Sequence, residues 1–319
     1  CIRDRIEGAK MQILDQDGKV VEEWVSKKEP HVVYALEPGE YVLHEEQAPT
    51  EQGYVRAEDV KFVVEETGDV QKVKMEDDHT KVSISKTDIT DGKEIEGAKL
   101  QILDQDGEVV ESWTTGEEHL IEYLPVGTYT LHEEAAVDGY IVANDVEFTV
   151  EETGEIQKVK MEDERAMGQL VIVKTDADSK AALEGVEFVL MEKETGKEVE
   201  RLKTGKDGKA VSSLLPIGTY ENGTFKEPIT YVLKETAALE GYEKTEEEWE
   251  IVFSYQNDKT PVIEVVKEIQ NKKIPETPGT VKPGPKTGDD TNWFLPLLAL
   301  GVSAGMVAGL LYYRKRHRK

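Results

Sequence analysis

Several residue types that stabilise or catalyse are scarce in this sequence. Its single cysteine, Cys1, cannot form a disulfide within the chain. Basic residues are outnumbered, with 39 Lys and Arg against 66 Asp and Glu. The net charge of −27 excludes nucleic acid as a natural partner, because a phosphate backbone would be repelled. The sequence has no glycine-rich phosphate loop, His/Cys metal spacing or nucleophile elbow, so we predict no cofactor, no metal site and no enzyme with turnover.

Long apolar runs are also absent, except for one near the C-terminus. Residues 293–313 carry no charge and would span about 31 Å as a helix, close to the ~30 Å hydrocarbon core of a bilayer. Residues 314–319 are almost wholly basic, and the positive-inside rule places such an end in the cytoplasm. The sequence therefore predicts one transmembrane helix and a basic cytoplasmic tail, with the preceding residues outside the cell. A plain membrane anchor is the simplest interpretation.

An export signal is missing from the N-terminus. Cys1 is not Met, and no basic-then-apolar segment follows it. A chain that reaches the cell surface needs such a signal, so we expect further residues before Cys1 in the natural protein.

Internal similarity dominates the first half of the chain. IEGAKMQILDQDGKVVEEW at residues 6–24 returns as IEGAKLQILDQDGEVVESW at residues 95–113, and VEETGDVQKVKMED at residues 64–77 returns as VEETGEIQKVKMED at residues 150–163. A third, divergent copy has extra turn-rich residues near 196–208 and 221–228. We divide the chain into a truncated repeat 1 (1–79), repeat 2 (80–166), repeat 3 (167–273), a proline-rich spacer with a polar tetrapeptide (274–292), the helix (293–313) and the tail (314–319).

Short segments of each copy alternate apolar and polar residues with period two. Turn signals such as Asp106-Gly107 separate these segments, which is typical of β-strands. The pattern predicts an all-β fold class with one small β-sandwich in each copy. The Asp-x-Asp-Gly at residues 104–107 resembles the start of a calcium loop but lacks its other ligands, so a hairpin turn is the better interpretation. His44 and His132 fall out of phase with the core, and we predict that they are solvated.

Charged and amide residues fall in phase with the apolar positions of these strands. They are Lys86, Glu133 and Asp163 in repeat 2, Lys174, Glu235 and Asn271 in repeat 3, and Glu45 and Asp77 in repeat 1, where no lysine-bearing strand precedes Ile6. Strand alternation would point them all into the core. Burying one unpaired charge costs several kcal/mol, so the side chains of each set must interact, as a buried ion network or through a covalent bond.

These motifs resemble a known family. V-x-I-x-K-T-D, E-G-A-x-L/M-Q-I, Y-x-L-x-E-x-x-A-x-x-x-G-Y and a last strand ending in Asp or Asn are similar to the SpaA-like (collagen-adhesin B-type) repeats of Gram-positive pilins and adhesins. The resemblance implies prealbumin-like (Ig-like) sandwiches in which a first-strand Lys forms an isopeptide bond with the last-strand Asp or Asn, assisted by a Glu. It implies the sets Lys86–Asp163 with Glu133, Lys174–Asn271 with Glu235, and an acceptor Asp77 with Glu45.

Burial favours this chemistry on physical grounds. It lowers the pKa of a lysine and raises that of a carboxylic acid, which leaves a neutral amine as nucleophile and an acid that can polarise the acceptor carbonyl. The reaction would occur once per molecule, as a maturation step.

The C-terminal segment also resembles a cell-wall sorting signal. Pro285, Lys286, Thr287 and Gly288 precede an apolar span and a basic tail, the order found in Gram-positive surface proteins of the LPxTG type. Gly284 stands where that motif has Leu. The resemblance implies a transient single-pass membrane precursor, in which a sortase cuts the Thr287–Gly288 bond and joins Thr287 to peptidoglycan or to a pilus subunit.

Together these features predict a secreted, wall-anchored stalk of an adhesin-type surface protein, with an unknown ligand on a host or cell surface. A sortase-polymerised pilus subunit is an alternative, although the Tyr-Pro-Lys-Asn kind of lysine motif found in pilin backbones does not occur in these residues. The stalk of a wall-bound enzyme, whose catalytic domain lies upstream, is the other alternative.

Overall fold

The computed structural model describes residues 6–275 of the chain. Regular structure in this range consists of 24 β-strands and a single turn of 3-10 helix. The all-β fold class predicted from the period-two alternation is therefore confirmed.

Part of the predicted organisation falls outside the described residues. Within residues 6–275, none of the helical structure is long and apolar enough to cross a bilayer. Four predicted segments lie wholly or almost wholly outside that range. They are the helix at residues 293–313, the basic tail, the tetrapeptide Pro285-Lys286-Thr287-Gly288 and nearly all of the spacer. These predictions stay predictions.

Repeat 1 has one full sheet and a two-stranded second sheet. Its elements are β1 (Lys10–Leu14), β2 (Val20–Val25), β3 (Gly39–Gln47), a 3-10 turn (Thr50–Gln52), β4 (Tyr54–Val55), β5 (Val60–Val64) and β6 (Asp78–His79). The full sheet is antiparallel with the order β2-β1-β3-β5, and β4 pairs with β6. Residues 70–77 form no strand, because no described strand pairs with them.

Repeat 2 is a complete sandwich of two four-stranded sheets. Its strands are β7 (Lys81–Asp88), β8 (Lys99–Leu103), β9 (Val109–Thr114), β10 (His119–Glu122), β11 (Gly127–Ala135), β12 (Tyr140–Ile141), β13 (Val146–Val150) and β14 (Ile156–Arg165). One sheet has the order β10-β7-β14-β12 and the other β13-β11-β8-β9. The first strand of the repeat, β7, and its last, β14, are parallel neighbours.

Repeat 3 has the same plan with additions. Its strands are β15 (Met167–Asp176), β16 (Glu187–Glu192), β17 (Glu198–Lys203), β18 (Lys209–Val211), β19 (Leu215–Pro216), β20 (Gly218–Glu221), β21 (Thr224–Pro228), β22 (Thr230–Ala237), β23 (Glu248–Val252) and β24 (Val262–Asn271). One sheet contains β18, β15, β19 and β24, and the other has the order β17-β16-β22-β23. Again the first and last strands, β15 and β24, are parallel neighbours.

The predicted turn-rich additions of repeat 3 contain strands as well as turns. Residues 196–208 include β17, and residues 221–228 belong to the β20–β21 hairpin. Asn222 and Gly223 have φ of 50° and 70°, the backbone of a tight two-residue hairpin turn. A side chain at position 223 would collide with the backbone oxygen of Glu94 in repeat 2, so glycine is needed there for the close approach as well as for the turn.

The core of each sandwich lies where alternation places apolar side chains. In repeat 2 the buried set comes from both sheets and consists of Val82, Ile84, Leu100, Ile102, Ile121, Leu124, Tyr129, Leu131, Val150 and Met161. The turn at residues 104–107 joins β8 to β9, and Asp104 Oδ1 accepts hydrogen bonds from the backbone N–H groups of Asp106 and Glu108, both at 2.9 Å. This is the predicted hairpin turn.

Candidate crosslinking site

Three polar side chains meet in the core of repeat 3. Lys174 comes from β15, Asn271 from β24 and Glu235 from β22 in the opposite sheet. Lys174 Nζ donates a hydrogen bond to Asn271 Oδ1 and lies 3.1 Å from Glu235 Oε2. Asn271 Nδ2 donates to Glu235 Oε1 at 2.6 Å. The three residues are 0%, 2% and 4% exposed in the order Lys174, Asn271, Glu235, so the contacts are made out of water.

Repeat 2 holds a matching set. Lys86 Nζ contacts Asp163 Oδ1 and lies 2.9 Å from Glu133 Oε2, and all three residues are buried. Glu133 Oε2 also accepts a hydrogen bond from the backbone N–H of Ala143 at 2.6 Å. This hydrogen bond fixes the orientation of the glutamate carboxyl group.

The parallel pairing of first and last strands brings the reacting groups together. Lys174 is opposite Ile269 in the ladder, and Lys86 is opposite Met161. The acceptor is in each case two residues further along, on the same face of its strand. An extended lysine side chain leaning along the strand reaches that position, which explains why the lysine and its acceptor need not be direct neighbours.

Burial changes the charge that these groups prefer. Desolvation lowers the pKa of Lys174, although the charge of Glu235 opposes this shift. Desolvation also raises the pKa of Asp163 to about 7; the charge of Glu133 adds to this shift and that of Lys86 opposes it. Asp163 Oδ2 is buried without a hydrogen-bond partner among the described residues, which fits a proton carried by Asp163. Burial thus favours the neutral amine of Lys174 in repeat 3 and the protonated acid of Asp163 in repeat 2.

Repeat 1 contains the two acids without a lysine. Glu45 is fully buried, and its Oε2 accepts a hydrogen bond from the backbone N–H of Ala57 at 2.6 Å, as Glu133 does from Ala143. Burial raises the pKa of Glu45 to about 7, and the nearby charge of Asp77 adds to the shift while the Ala57 N–H opposes it. Burial likewise raises the pKa of Asp77. Within residues 6–275, no lysine pairs with either acid.

This pair should make repeat 1 less stable at neutral pH than at mildly acidic pH. A folded acid whose pKa is raised binds its proton more tightly than the unfolded chain does, so the free energy of unfolding falls as the pH rises from about 4.5 to about 7. Glu45→Gln is expected to remove most of this dependence, as measured by hydrogen exchange of peptides from β1 and β3 at several pH values. The exposed Glu40→Gln is the matched control and should keep the wild-type slope. If stability depends on pH equally in the wild type, Glu45→Gln and Glu40→Gln, Glu45 is not the source of the dependence.

Two further buried acids lie beside the predicted residues. Asp88 and Asp176 are 0% and 2% exposed and end β7 and β15. Their signal in the sequence is a spacing of two from Lys86 and Lys174 in the motif Lys-Thr-Asp. That spacing predicts that the acid lies on the same inward face as the lysine. It gives no reason for burying a second acid; that reason comes only from the contacts in the structure.

The two histidines predicted to be solvated each share a hydrogen bond with an acid near the surface. His44 Nδ1 is 2.7 Å from Asp59 Oδ1, and His132 Nδ1 is 2.7 Å from Asp145 Oδ1. In the part of the chain that the structure describes, no group of three His, Cys, Asp or Glu side chains could hold a metal ion.

Tandem β-sandwiches with a lysine and an amide or acid on adjacent terminal strands define a class of protein, and a family comparison agrees with it. The model of the SpaA prealbumin-like fold domain matches residues 3–79, 80–165 and 168–269. These stretches make up most of the chain, which therefore belongs to the SpaA prealbumin-like domain family. No curated protein matches the chain.

Solved structures similar to the chain include a TIE protein and pilins. The Bacillus anthracis TIE protein is 27% identical with a TM-score of 0.52, over 85% of this chain and 49% of that one. This chain thus spans about half the length of that protein. BcpA, the major pilin subunit of Bacillus cereus, is 16% identical with a TM-score of 0.44, over 86% and 97% of the two chains. A Streptococcal ancillary pilin is 19% identical with a TM-score of 0.29, over 76% and 77%.

Proposed function

We propose that the chain is the stalk of a cell-surface protein, in which repeats 2 and 3 each form one intramolecular isopeptide bond. The observation that carries the proposal is the buried contact of Lys174 with Asn271 and Glu235, repeated by Lys86, Asp163 and Glu133. These bonds would form once, during folding, and the domains would then act as a covalently closed support.

In repeat 3 the glutamate can carry a proton between nucleophile and leaving group. Glu235 lies between Lys174 Nζ on one oxygen and Asn271 Nδ2 on the other. The lysine gives a proton to Glu235, and the neutral Nζ attacks Asn271 Cγ. Glu235 then passes this proton to Nδ2, and its carboxylate takes the second excess proton from Nζ as the Cγ–Nδ2 bond breaks, so Glu235 ends protonated. One amide bond forms, one breaks, and one ammonia leaves without any change of oxidation state.

In repeat 2 the leaving group is water. Lys86 Nζ attacks Cγ of the protonated Asp163, and the Cγ–hydroxyl bond breaks. The lysine proton passes through Glu133 to the departing hydroxyl, so the products are one amide and one water. The raised pKa of Asp163 supports this route, because an ionised carboxylate would repel a nucleophile and would have no good leaving group.

A buried ion network without a covalent bond is the rival interpretation of the same contacts. In that network the pKa of Lys174 is lowered and its acceptor is a neutral amide. Only one carboxylate, that of Glu235, then offsets the free-energy cost of removing the ammonium from water. Conversion to an amide removes both the buried cation and the buried acid–base pair, which favours the covalent product.

Mass spectrometry of the intact chain tests the bonds. We expect the wild-type protein to be lighter than its sequence mass by one water and one ammonia, with Lys86–Asp163 and Lys174–Asn271 peptides joined in a digest. Glu133→Ala should be lighter than its own sequence mass by one ammonia only, because repeat 2 loses its proton carrier and keeps its water while repeat 3 still forms its bond. The exposed neighbour Glu134→Ala is the matched control and should have lost both. A folded wild-type protein at its full sequence mass would refute the crosslink proposal and leave the description of the fold unchanged.

We also propose that the chain is carried on the wall of a Gram-positive bacterium. The support is the sequence of the C-terminus: the tetrapeptide ending in Thr287-Gly288, the uncharged residues 293–313 and the basic residues 314–319. A sortase would then exchange the membrane segment for a bond between the Thr287 carbonyl and an amine of peptidoglycan. The partners in this proposal are the sortase, the wall and an unidentified ligand on a host or cell surface.

A pilus subunit is the second candidate, since sortases also join subunits to one another. Membership of the SpaA prealbumin-like family fits both roles. A sortase-dependent ladder of covalent multimers on a denaturing gel would favour the pilus subunit, whereas a single wall-linked species would favour the stalk.

A further inference from the structure

A second buried acid accompanies the reacting groups in repeat 2. Asp88 Oδ2 accepts hydrogen bonds from the Tyr140 hydroxyl at 2.7 Å and from Arg165 Nε at 2.6 Å. Its Oδ1 accepts one from the backbone N–H of Thr90 at 2.7 Å. Asp88 is fully buried and takes no part in the proposed proton transfers.

The contacts of Asp88 join the strands of Lys86 and Asp163 to the segment that orients Glu133. Asp88 itself lies two residues after Lys86 on β7. Arg165 lies two residues after Asp163 on β14. Tyr140 begins the segment that ends in Ala143, whose N–H holds Glu133. One carboxylate therefore ties the lysine strand to the acceptor strand and to the segment that orients the glutamate.

Repeat 3 shows the same arrangement with a different cation. Asp176 Oδ2 accepts a hydrogen bond from the Tyr242 hydroxyl at 2.8 Å, and Lys273 Nζ lies 3.9 Å from the same oxygen. Lys273 follows Asn271 by two residues, as Arg165 follows Asp163, and it forms an isolated β-bridge with Tyr242. The arrangement of acid, tyrosine and cation thus recurs in two repeats whose sequences have diverged.

Both acids are held as anions. Burial acts to raise the pKa of Asp88, but the hydrogen bonds from Thr90, Tyr140 and Arg165 outweigh it and keep the pKa below its ordinary value. The pKa of Asp176 is lowered, chiefly by the backbone N–H of Ser179 and then by Tyr242. An acid that keeps no proton cannot compete with Glu133 or Glu235 as the proton carrier, so its contribution is to geometry.

We propose that Asp88 and Asp176 are positioning residues for the crosslinking reaction, each acting through its tyrosine. The inference rests on the proposed function. By fixing the ends of the first and last strands to the tyrosine segment, each acid holds Nζ of its lysine against the acceptor carbonyl carbon. Small displacements of reacting atoms lower rates steeply, so loosening this tie should slow the reaction even in a folded repeat.

The test compares tyrosine hydroxyls within one repeat. Tyr140→Phe removes the hydrogen bond to Asp88, and Tyr129→Phe removes a hydroxyl bonded to the Pro125 backbone oxygen at 2.9 Å, away from the site. Full-length chain is made by pulse-labelled cell-free synthesis and quenched in denaturant over time, and the linked and unlinked peptides of repeat 2 are quantified. We expect Tyr140→Phe to slow linkage about tenfold or more, and Tyr129→Phe to match wild type.

The rate per folded molecule separates positioning from stability. Hydrogen exchange measured in parallel gives the folded fraction of repeat 2, and a purely structural role would lower that fraction while leaving the rate per folded molecule unchanged. Asp88→Asn, whose amide oxygen can still accept from Tyr140, should retain more of the rate than Asp88→Ala. In each of these variants, repeat 3 should lose its ammonia at the wild-type rate.

Repeat 3 provides a second comparison if a repeat 2 variant fails to fold. Tyr242→Phe should slow the loss of ammonia, and Tyr231→Phe, which loses a hydrogen bond to the Pro216 backbone oxygen at 2.7 Å, should not. Equal rates per folded molecule for the two members of each pair would overturn the positioning role. A wild-type chain that never links would instead overturn the proposed function, so the two failures are distinguishable.

Discussion

Glu235→Gln is expected to give a third repeat that folds without its crosslink and melts about 20 °C or more below the wild-type repeat. Glutamine keeps the size and polarity of the side chain but cannot carry the proton. The bond joins residues 97 positions apart, and a loop of about 100 residues corresponds to roughly 4.7 kcal/mol by the loop-closure estimate. About 1 kcal/mol shifts the melting temperature of a domain this size by roughly 4–8 °C. Scanning calorimetry of the full chain measures the effect.

The control for this variant lies on the neighbouring strand. Glu250 is exposed on β23, where it pairs with Lys193, so Glu250→Gln should melt with the wild type. The mass of each protein is measured alongside, to show that only Glu235→Gln retains the ammonia. A Glu235→Gln protein that lacks the bond and still melts at the wild-type temperature would show that the bond contributes nothing to stability.

Force applied to the two ends of the chain should distinguish the repeats still more sharply. In repeats 2 and 3 the bond would link the first strand to the last, so the load passes through Lys86–Asp163 or Lys174–Asn271 and the enclosed residues stay folded. Repeat 1 has no such bond within residues 6–275. We therefore expect one unfolding step for the wild type, from repeat 1. The Glu133→Gln, Glu235→Gln double variant should give three steps.

Single-molecule stretching can be carried out with Cys1 as the attachment point, since it is the only cysteine in the sequence. The step from an unlocked repeat 3 should release at least the 97 residue positions between Lys174 and Asn271, about 340 Å at roughly 3.5 Å per residue. Glu235→Gln alone should add this step and no other. Three steps in the wild-type chain would contradict the locked repeats, whatever the melting temperatures are.

Much of the site follows from strand alternation alone. Lys86 comes two residues after Ile84, and Glu133 comes two after Leu131, so an apolar core face carries both side chains inward. The contact between them could not be derived from either strand, because they belong to different sheets and the distance depends on how the sheets pack. The contacts of Asp88 were hidden for another reason: its partners Tyr140 and Arg165 lie on strands of the same sheet but are distant in sequence.

The extra hairpin of repeat 3 shows a different limit. Asn222-Gly223 is a strong local turn signal, but the residues around it read as an insertion rather than as strands. The structure places the hairpin against repeat 2, where the Arg165 guanidinium lies 4.0 Å from the Tyr220 ring centroid and the Tyr220 hydroxyl donates to the backbone oxygen of Gly139 at 2.8 Å. Contact with another repeat, rather than local preference, accounts for its position.

The sequence by itself determined the all-β class, the repeated units and the inward face of each lysine, acid and amide that lies in a strand, because these depend only on a two-residue period and on turn residues. For Asp77, which lies in no strand and is half-buried, strand alternation was the wrong basis for the predicted inward face. It did not determine which segments become strands. VQKVKMED at residues 70–77 and IQKVKMED at residues 156–163 differ at one position, yet only the second lies in a strand, β14. A strand needs a neighbour for its backbone hydrogen bonds, and β7 supplies one in repeat 2 alone.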